Sequence, residues 1–218
     1  FIDSFYSLQL TPEFPQSGET VTAEIKTFST DLNRAEISWY LNGKIQKSGL
    51  GEKKFSFRAG VVGTRLTLDV VVKPFDEGPV TKTAVIQPAD VEILWQARSP
   101  APPFFKGKNL HVNEGALTLA AFPRFIGAGG KEIPAKNLVY KWTVNNKVRL
   151  DESGYGKNSL TAGGGTRFTP FEARVEVSSV DESLKAVGTL ILEAASPEVI
   201  LYEESPLYGL MTNRALSG

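Results

Sequence analysis

The chain has 218 residues, 41% of them hydrophobic, and its 24 Lys and Arg residues balance its 24 Asp and Glu residues. This composition supports a packed core rather than a disordered chain, and the zero net charge gives no reason to expect a nucleic acid or an anionic membrane as partner. There is no cysteine, which excludes disulfides, thiolate metal sites and a cysteine nucleophile, and no apolar run is long enough to span a bilayer.

Alternation of apolar and polar residues predicts that the first part of the chain forms β-strands, because alternate side chains of a strand point to opposite faces. The apolar positions form three runs: Val21, Ala23 and Ile25, then Ile37, Trp39 and Leu41, then Leu66, Leu68, Val70 and Val72. Asn42-Gly43 follows the second run and predicts a two-residue type I′ turn, which needs positive φ at both central residues. We therefore expect antiparallel sheets with one face on a core.

The same series of elements recurs in the second half of the chain. Its apolar runs are Leu117 and Leu119, then Leu138, Tyr140, Trp142 and Val144, then Ala173, Val175 and Val177, then Leu190 and Leu192. Asn145-Asn146 replaces Asn42-Gly43 as a weaker turn signal. The pattern Ser-Gly-x-Gly at residues 48–51 returns at 153–156. An internal repeat of domain size predicts tandem modules.

Three segments are typical of the opening strand of a module, and each ends near a proline, which cannot donate to a strand ladder. They are residues 8–10, 91–95 and 199–202, followed by Pro12, Pro100 and Pro206. The predicted domains are residues 1–89, residues 90–196 and residues 197–218. The last of these is interpreted as the opening strand of a truncated third module or as a docking tail. The short linker between the first two favours a stiff junction.

About seven short strands per module, with a Trp in the third, resemble the immunoglobulin-like β-sandwich, in which that Trp lies between the two sheets. Trp39 and Trp142 hold this position. The Trp-x-x-Asn-Gly pattern and the Val-rich penultimate strand resemble bacterial Ig-like and PKD-like modules, although the cysteine pair and a clear tyrosine corner are missing. The expected fold class is all-β: two tandem Ig-like (PKD-like) β-sandwiches plus the opening strand of a truncated third repeat.

The arrangement is also similar to tandem-module surface proteins of candidate-phylum bacteria. That resemblance implies an exported or cell-envelope location and no catalytic residues. A first residue other than Met and the absence of cysteine favour the same location, as a processed chain.

The candidates for catalysis or metal binding are weak. Residues 126–131 resemble a phosphate loop only faintly, since Glu132 follows the Lys and no helix follows. His111 is the only histidine and is expected in a surface loop, which makes neither a metal site nor a catalytic triad convincing. Asp76-Glu77 and Asp181-Glu182 are expected to be solvated turn residues, with weak calcium binding as the alternative. No catalytic, metal-binding or cofactor-binding residue and no cofactor is predicted.

Aromatic residues near the module ends form the predicted interaction surface. They are Trp95, Phe104, Phe105, Tyr202 and Tyr208. We interpret them as packing at the junctions between modules, and the alternative is an exposed platform for a sugar or another protein chain.

The sequence thus predicts a non-enzymatic structural or adhesive protein of the cell surface or of a filament, acting as spacer and interaction surface. The expected partners are other protein chains, including head-to-tail self-assembly through residues 197–218. The alternative is a carbohydrate- or ligand-binding module of a larger envelope protein.

Overall fold

The first part of the chain folds into two antiparallel sheets that enclose one hydrophobic core. The computed structural model describes residues 5–75, 78–99, 109–112, 115–127, 129–163, 169–195, 201–207 and 209–216. The strands of this first module are β1 (Tyr6–Thr11), β2 (Thr20–Thr27), β3 (Glu36–Leu41), β4 (Lys44–Leu50), β5 (Lys54–Arg58), β6 (Leu66–Lys73) and β7 (Val80–Ile86). One sheet has the order β1-β2-β5 and the other has the order β4-β3-β6-β7, so the module is a three-on-four β-sandwich.

The second part of the chain repeats this architecture around a core of its own. Its strands are β8 (Asp90–Ala97), β9 (Ala116–Arg124), β10 (Val139–Val144), β11 (Lys147–Val148), β12 (Gly154–Tyr155), β13 (Ser159–Gly163), β14 (Phe171–Ser178) and β15 (Lys185–Leu192). One sheet has the order β13-β9-β8 and the other has the order β11-β10-β14-β15, with β12 also paired to β10. Apart from β12 this is the strand order of the first module. The predicted all-β fold with tandem β-sandwiches is confirmed.

The alternating pattern of the sequence explains which face each strand buries. In β2 the three apolar residues Val21, Ala23 and Ile25 are buried, while the residues between them are more exposed. The apolar positions of β14 behave in the same way. Burying such side chains between two sheets is the main stabilising contribution, about 25 cal/mol per Å² of apolar surface.

Trp39 in β3 and Trp142 in β10 occupy the same place in the two cores, and both side chains are fully buried. Nε1 of Trp39 donates a hydrogen bond to O of Glu52 at 2.7 Å, and Nε1 of Trp142 donates one to O of Lys157 at 3.0 Å. A buried indole N–H needs such a partner. Each Trp therefore ties its strand to the segment that leads into the facing sheet. The prediction that both are core residues is confirmed.

Equivalent tight turns join β3 to β4 and β10 to β11. The φ angles are 50° and 73° in Asn42-Gly43, and 47° and 61° in Asn145-Asn146. The side-chain oxygen of the first Asn of each turn accepts a hydrogen bond from a neighbouring strand, from N of Thr67 and from N of Glu172 respectively. The positive φ angles confirm the predicted turn type, and the Asn side chains explain why both copies keep Asn at this position.

A further hairpin follows the second module. β16 (Leu201–Ser205) pairs antiparallel with β17 (Gly209–Leu216), and the two form a sheet of their own. The sequence predicts only the opening strand here, and β17 adds a partner for it within the same chain. The domain limits at residues 89 and 196, and the origin of residues 197–218 as the start of a third module, stay predictions.

Candidate functional site

The predicted aromatic interaction surface lies only partly within the described residues. Trp95 of β8 is half-buried and packs against the core of the second module. Phe104, Phe105 and Tyr208 lie outside the described residues, and of Tyr202 only the backbone, in β16, is described. The interaction surface therefore stays a prediction.

His111 is buried, and the expectation of a surface histidine was wrong. Its side chain is 4% exposed, and its ring meets the edge of Phe171 with 6.0 Å between centroids. Its O accepts a hydrogen bond from N of Ala195 at 2.8 Å, whereas Nδ1 has no hydrogen-bond partner among the described residues. Burial lowers the pKa of the imidazole below its ordinary value of 6.5, because the charged ring would lose its hydration. The segment folds onto the edge of the core through distant partners, which no local pattern reveals.

Within the described ranges there is neither a metal cluster nor a membrane-spanning helix. No group of three or more His, Cys, Asp or Glu residues there could hold a metal ion, and no helix is long and apolar enough to cross a bilayer. Asp181, considered above for calcium, accepts hydrogen bonds from Oγ of Ser179 at 2.6 Å and from N and Oγ of Ser183. These bonds, the Ser179 hydroxyl foremost, lower the pKa of Asp181. Its carboxylate therefore organises the turn between β14 and β15, while Asp76-Glu77 lies outside the described residues.

The connection between the two modules is short and packed. Only residues 87–89 separate β7 from β8. Pro88 and Ala89 are buried, Ala89 as a member of the second core. Nε2 of Gln87 donates a hydrogen bond to O of Ile126 at 3.0 Å. A connection that is buried and hydrogen-bonded in this way limits hinge motion between the modules.

The loop between β1 and β2 reaches across to the second module. N of Ser17 donates a hydrogen bond to Oδ1 of Asp90 at 2.8 Å, at the first residue of β8. Nε2 of Gln16 donates another to O of Val187 in β15 at 3.2 Å. The loop thus contacts the first and the last strand of the second module.

Two further contacts close the junction. Nζ of Lys185 lies 5.7 Å from the ring centroid of Phe14, within the range of a cation–π interaction. Gly63 has a φ of 87°, and a Cβ placed on it would lie 3.0 Å from the side chain of Ile126. A larger residue at this glycine would push the modules apart, since real Cβ contacts are rarely so short.

A groove with a volume of about 850 Å³ opens beside β8 and β9 of the second module, and Gln16 of the first module also lines it. On its floor Glu92 of β8 lies directly opposite Phe122 of β9, and Asp90 lies opposite Arg124. The Phe122 side chain is 52% exposed. Further polar lining residues come from three other segments: Gln16, Glu132 and Asn158. The groove therefore combines an exposed aromatic ring with carboxylate, guanidinium and amide groups.

The outer face of the three-stranded sheet differs between the two modules. In the second module it carries Leu94, Ala120 and Phe122 among polar residues such as Glu92 and Arg124. In the first module the outer face is polar and carries Ser7, Gln9, Thr22, Glu24, Ser56 and Arg58. Sequence reasoning missed Phe122 as a candidate, although a signal was present. The inward alternation of Leu117 and Leu119 already assigns Phe122 to the outer face of the same strand.

No protein-family model and no curated protein matches the chain. Among solved structures, the fibronectin(III)-like modules of Clostridium thermocellum CbhA align with 86% of this chain and 94% of their own, at 11% identity and a TM-score of 0.37. The central fibronectin-III array of RIM-binding protein aligns with 92% of this chain and 74% of its own, at 12% identity and a TM-score of 0.28. Three N-terminal domains of the bacteriophage RB49 highly immunogenic outer capsid protein align with 85% of this chain and 57% of their own, at 14% identity and a TM-score of 0.34. At TM-scores of this size the fold assignment rests on the strand order given above and not on these neighbours.

Proposed function

We propose that this chain is a non-enzymatic structural and adhesive protein of the cell surface or of a filament, in which two β-sandwich modules form a rigid spacer and an interaction surface. The observation that carries the spacer role is the packed connection at residues 87–89, with hydrogen bonds from Ser17 and Gln87 across the junction. A spacer holds a distance only if its modules keep one relative orientation. Each hydrogen bond contributes about 0.5–1.5 kcal/mol, so several together favour one arrangement of the modules over a free hinge.

The natural absence of cysteine makes this orientation measurable. Lys44→Cys and Lys147→Cys would place one spin label at the start of β4 and one at the equivalent strand β11, where both side chains are exposed. Pulsed electron spin resonance on the doubly labelled chain then gives the distribution of distances between the modules. One narrow distribution supports the spacer, and a broad distribution contradicts it. The two singly labelled variants serve as controls for contacts between separate molecules.

The proposal includes an exported location at the cell envelope. Its support is the resemblance of the tandem modules to bacterial surface modules and a composition without cysteine. Proteolysis of intact cells that produce the chain tests it. Loss of the chain from intact cells supports surface exposure, and recovery of the chain only after lysis contradicts it.

The hairpin β16–β17 is the proposed contact with other protein chains. The hairpins β1–β2 and β8–β9 are each completed by a third strand, β5 or β13, whereas β16–β17 has no third strand within the described residues. A two-stranded hairpin is at best marginally stable in water. Docking on a neighbouring copy would bury it and would give a head-to-tail assembly.

Sedimentation of the full chain and of a variant lacking residues 197–218 tests this assembly. We expect the full chain to self-associate as its concentration rises and the shortened variant to remain monomeric. Equal self-association of the two would contradict the role of the tail without affecting the spacer role.

A further inference from the structure

We propose that the groove beside Phe122 binds a neutral saccharide chain, a role that goes beyond the spacer. Phe122 stands on the outer face of β9 with about half of its surface exposed, and Leu94 and Ala120 extend the apolar surface beside it. Sugar rings present flat C–H faces, which pack on an aromatic ring, and hydroxyl edges, which need hydrogen bonds. A volume of about 850 Å³ falls within the range of about 300–1,000 Å³ that is typical of ligand clefts.

The polar groups around the ring have unused hydrogen-bonding capacity. Four side chains of the groove form no hydrogen bond or ion pair with another described residue: Glu92, Arg124, Glu132 and Asn158. A carboxylate accepts, a guanidinium donates, and an amide does both. A sugar hydroxyl is at once donor and acceptor, so this mixture suits vicinal hydroxyl groups better than a purely acidic or purely basic groove would.

One cross-strand pair of opposite charge in the groove forms no ion pair. Asp90 and Arg124 lie opposite each other on β8 and β9, yet no ion pair joins them. Oδ1 of Asp90 instead accepts the hydrogen bond from N of Ser17. Because Arg124 forms no ion pair with Asp90, its guanidinium donors are open to a ligand, and Asp90 both lines the groove and contacts the first module.

The charges of the groove select against acidic ligands. Asp90, Glu92 and Glu132 supply three carboxylates, and Arg124 supplies one positive charge. An anionic polymer would meet net repulsion from this excess of carboxylates. A neutral saccharide satisfies both donors and acceptors without that penalty, and polylysine is the probe for a basic ligand.

Native affinity electrophoresis of the full chain in gels containing soluble neutral polysaccharides tests the proposal. The probes are hydroxyethyl cellulose, β-1,3-glucan and galactomannan, with polygalacturonate as the acidic polymer and polylysine as the basic one. We expect retardation by at least one neutral polysaccharide and none by polygalacturonate. Phe122→Ala should lower the affinity derived from that retardation at least tenfold, and Glu92→Ala should lower it severalfold. Phe122→Tyr should keep the affinity of the unaltered chain, because the aromatic ring is kept.

Phe28→Ala is the matched control, since Phe28 is a fully exposed Phe of the first module away from the groove. This variant should bind the polysaccharide with the affinity of the unaltered chain. Thermal unfolding of every variant tests whether the fold is kept. Absence of retardation by all three neutral polysaccharides would overturn the proposal, as would unchanged binding by folded Phe122→Ala. Binding of polylysine alone would overturn it in favour of a basic partner, and equal retardation by polygalacturonate would overturn the selection for neutral chains. None of these outcomes depends on the spacer role, which the distance measurement tests separately.

Discussion

The backbone N–H of Ser17 donates a 2.8 Å hydrogen bond to Oδ1 of Asp90, across the junction between the two modules. Asp90 is the first residue of β8 and also lines the groove beside Phe122. One carboxylate oxygen therefore takes part in holding the modules together, and the same side chain forms part of the candidate binding surface. Orientation and binding are linked through this residue.

Removing the hydrogen-bond acceptor of Asp90 should loosen the junction between the two modules. Asp90→Ala removes Oδ1, which leaves N of Ser17 without this partner and weakens the contact by about 0.5–1.5 kcal/mol. The distance distribution between labels at residues 44 and 147 should broaden. Asp90→Asn is the control, because its amide oxygen still accepts the hydrogen bond, and its distribution should stay narrow. If both variants broadened the distribution equally, the charge rather than the acceptor would hold the junction.

The second glycine of each Ser-Gly-x-Gly pattern should be intolerant of alanine. Gly51 has a φ of 69° and Gly156 a φ of 71°, and an added Cβ would lie 3.3 Å from O of Asn33 and 3.1 Å from O of Lys136 respectively. Gly51→Ala and Gly156→Ala should each lower the free energy of unfolding by about 1–3 kcal/mol, since both the positive φ and the backbone contact are unfavourable.

Urea unfolding followed by Trp fluorescence measures this loss. Gly163→Ala is the control in the second module, where a Cβ would meet nothing within 4 Å and φ is not in the left-handed region. It should change the free energy of unfolding by no more than about 0.5 kcal/mol. An equal loss in Gly163→Ala and Gly156→Ala would show that glycine itself, and not its conformation, accounts for the effect.

Features that depend on local pattern were predicted well from the sequence. The repeat located Trp39 and Trp142 in the cores, and the turn chemistry located the positive φ angles of Asn42-Gly43 and Asn145-Asn146. These features follow from alternation and from the steric demands of tight turns, which act within a few residues. The repeat itself strengthened each inference, because the same residues recur in the same order.

Features that depend on distant contacts were not predicted. Ser17 meets Asp90, and Gln87 meets Ile126, through loops whose courses are set by the packing of two modules. The groove beside Phe122 is lined by residues of several segments of the second module and by Gln16 of the first module. Contacts between distant loops leave no periodic signal in the sequence. The outward position of Phe122, in contrast, follows from the alternation of its strand.

The indole N–H groups should contribute to each core beyond the apolar surface of the rings. Trp142→Phe keeps an aromatic ring but removes Nε1, which leaves O of Lys157 without this donor. We expect a loss of about 1–3 kcal/mol in the free energy of unfolding of the second module, and a similar loss in the first module for Trp39→Phe. Circular dichroism of urea unfolding measures both. A loss in only one of the two variants would contradict the equivalence of the two cores.

His111 should make the second module less stable in mild acid. Its neutral ring is buried against Phe171, and burial lowers its pKa in the folded state below the ordinary 6.5 that applies when the chain is unfolded. Well above pH 6.5 both states hold the neutral ring, and its contribution to the free energy of unfolding does not vary with pH. Below pH 6.5 the unfolded state binds a proton that the folded state does not bind. The free energy of unfolding therefore falls until the pH reaches the folded-state pKa.

The difference between the unaltered chain and His111→Leu isolates this contribution, since the carboxylates titrate equally in both. Leu fills the buried site without a titratable group. The difference in free energy of unfolding, measured with urea from pH 8 to pH 5, should be constant above about pH 7 and should then fall by at most about 1.4 kcal/mol per pH unit, the limit for one proton. Parallel curves throughout would mean that the ring is hydrated when folded. A gain in the stability of the unaltered chain relative to His111→Leu on acidification would mean that a carboxylate stabilises the charged imidazole, contrary to the burial that lowers its pKa.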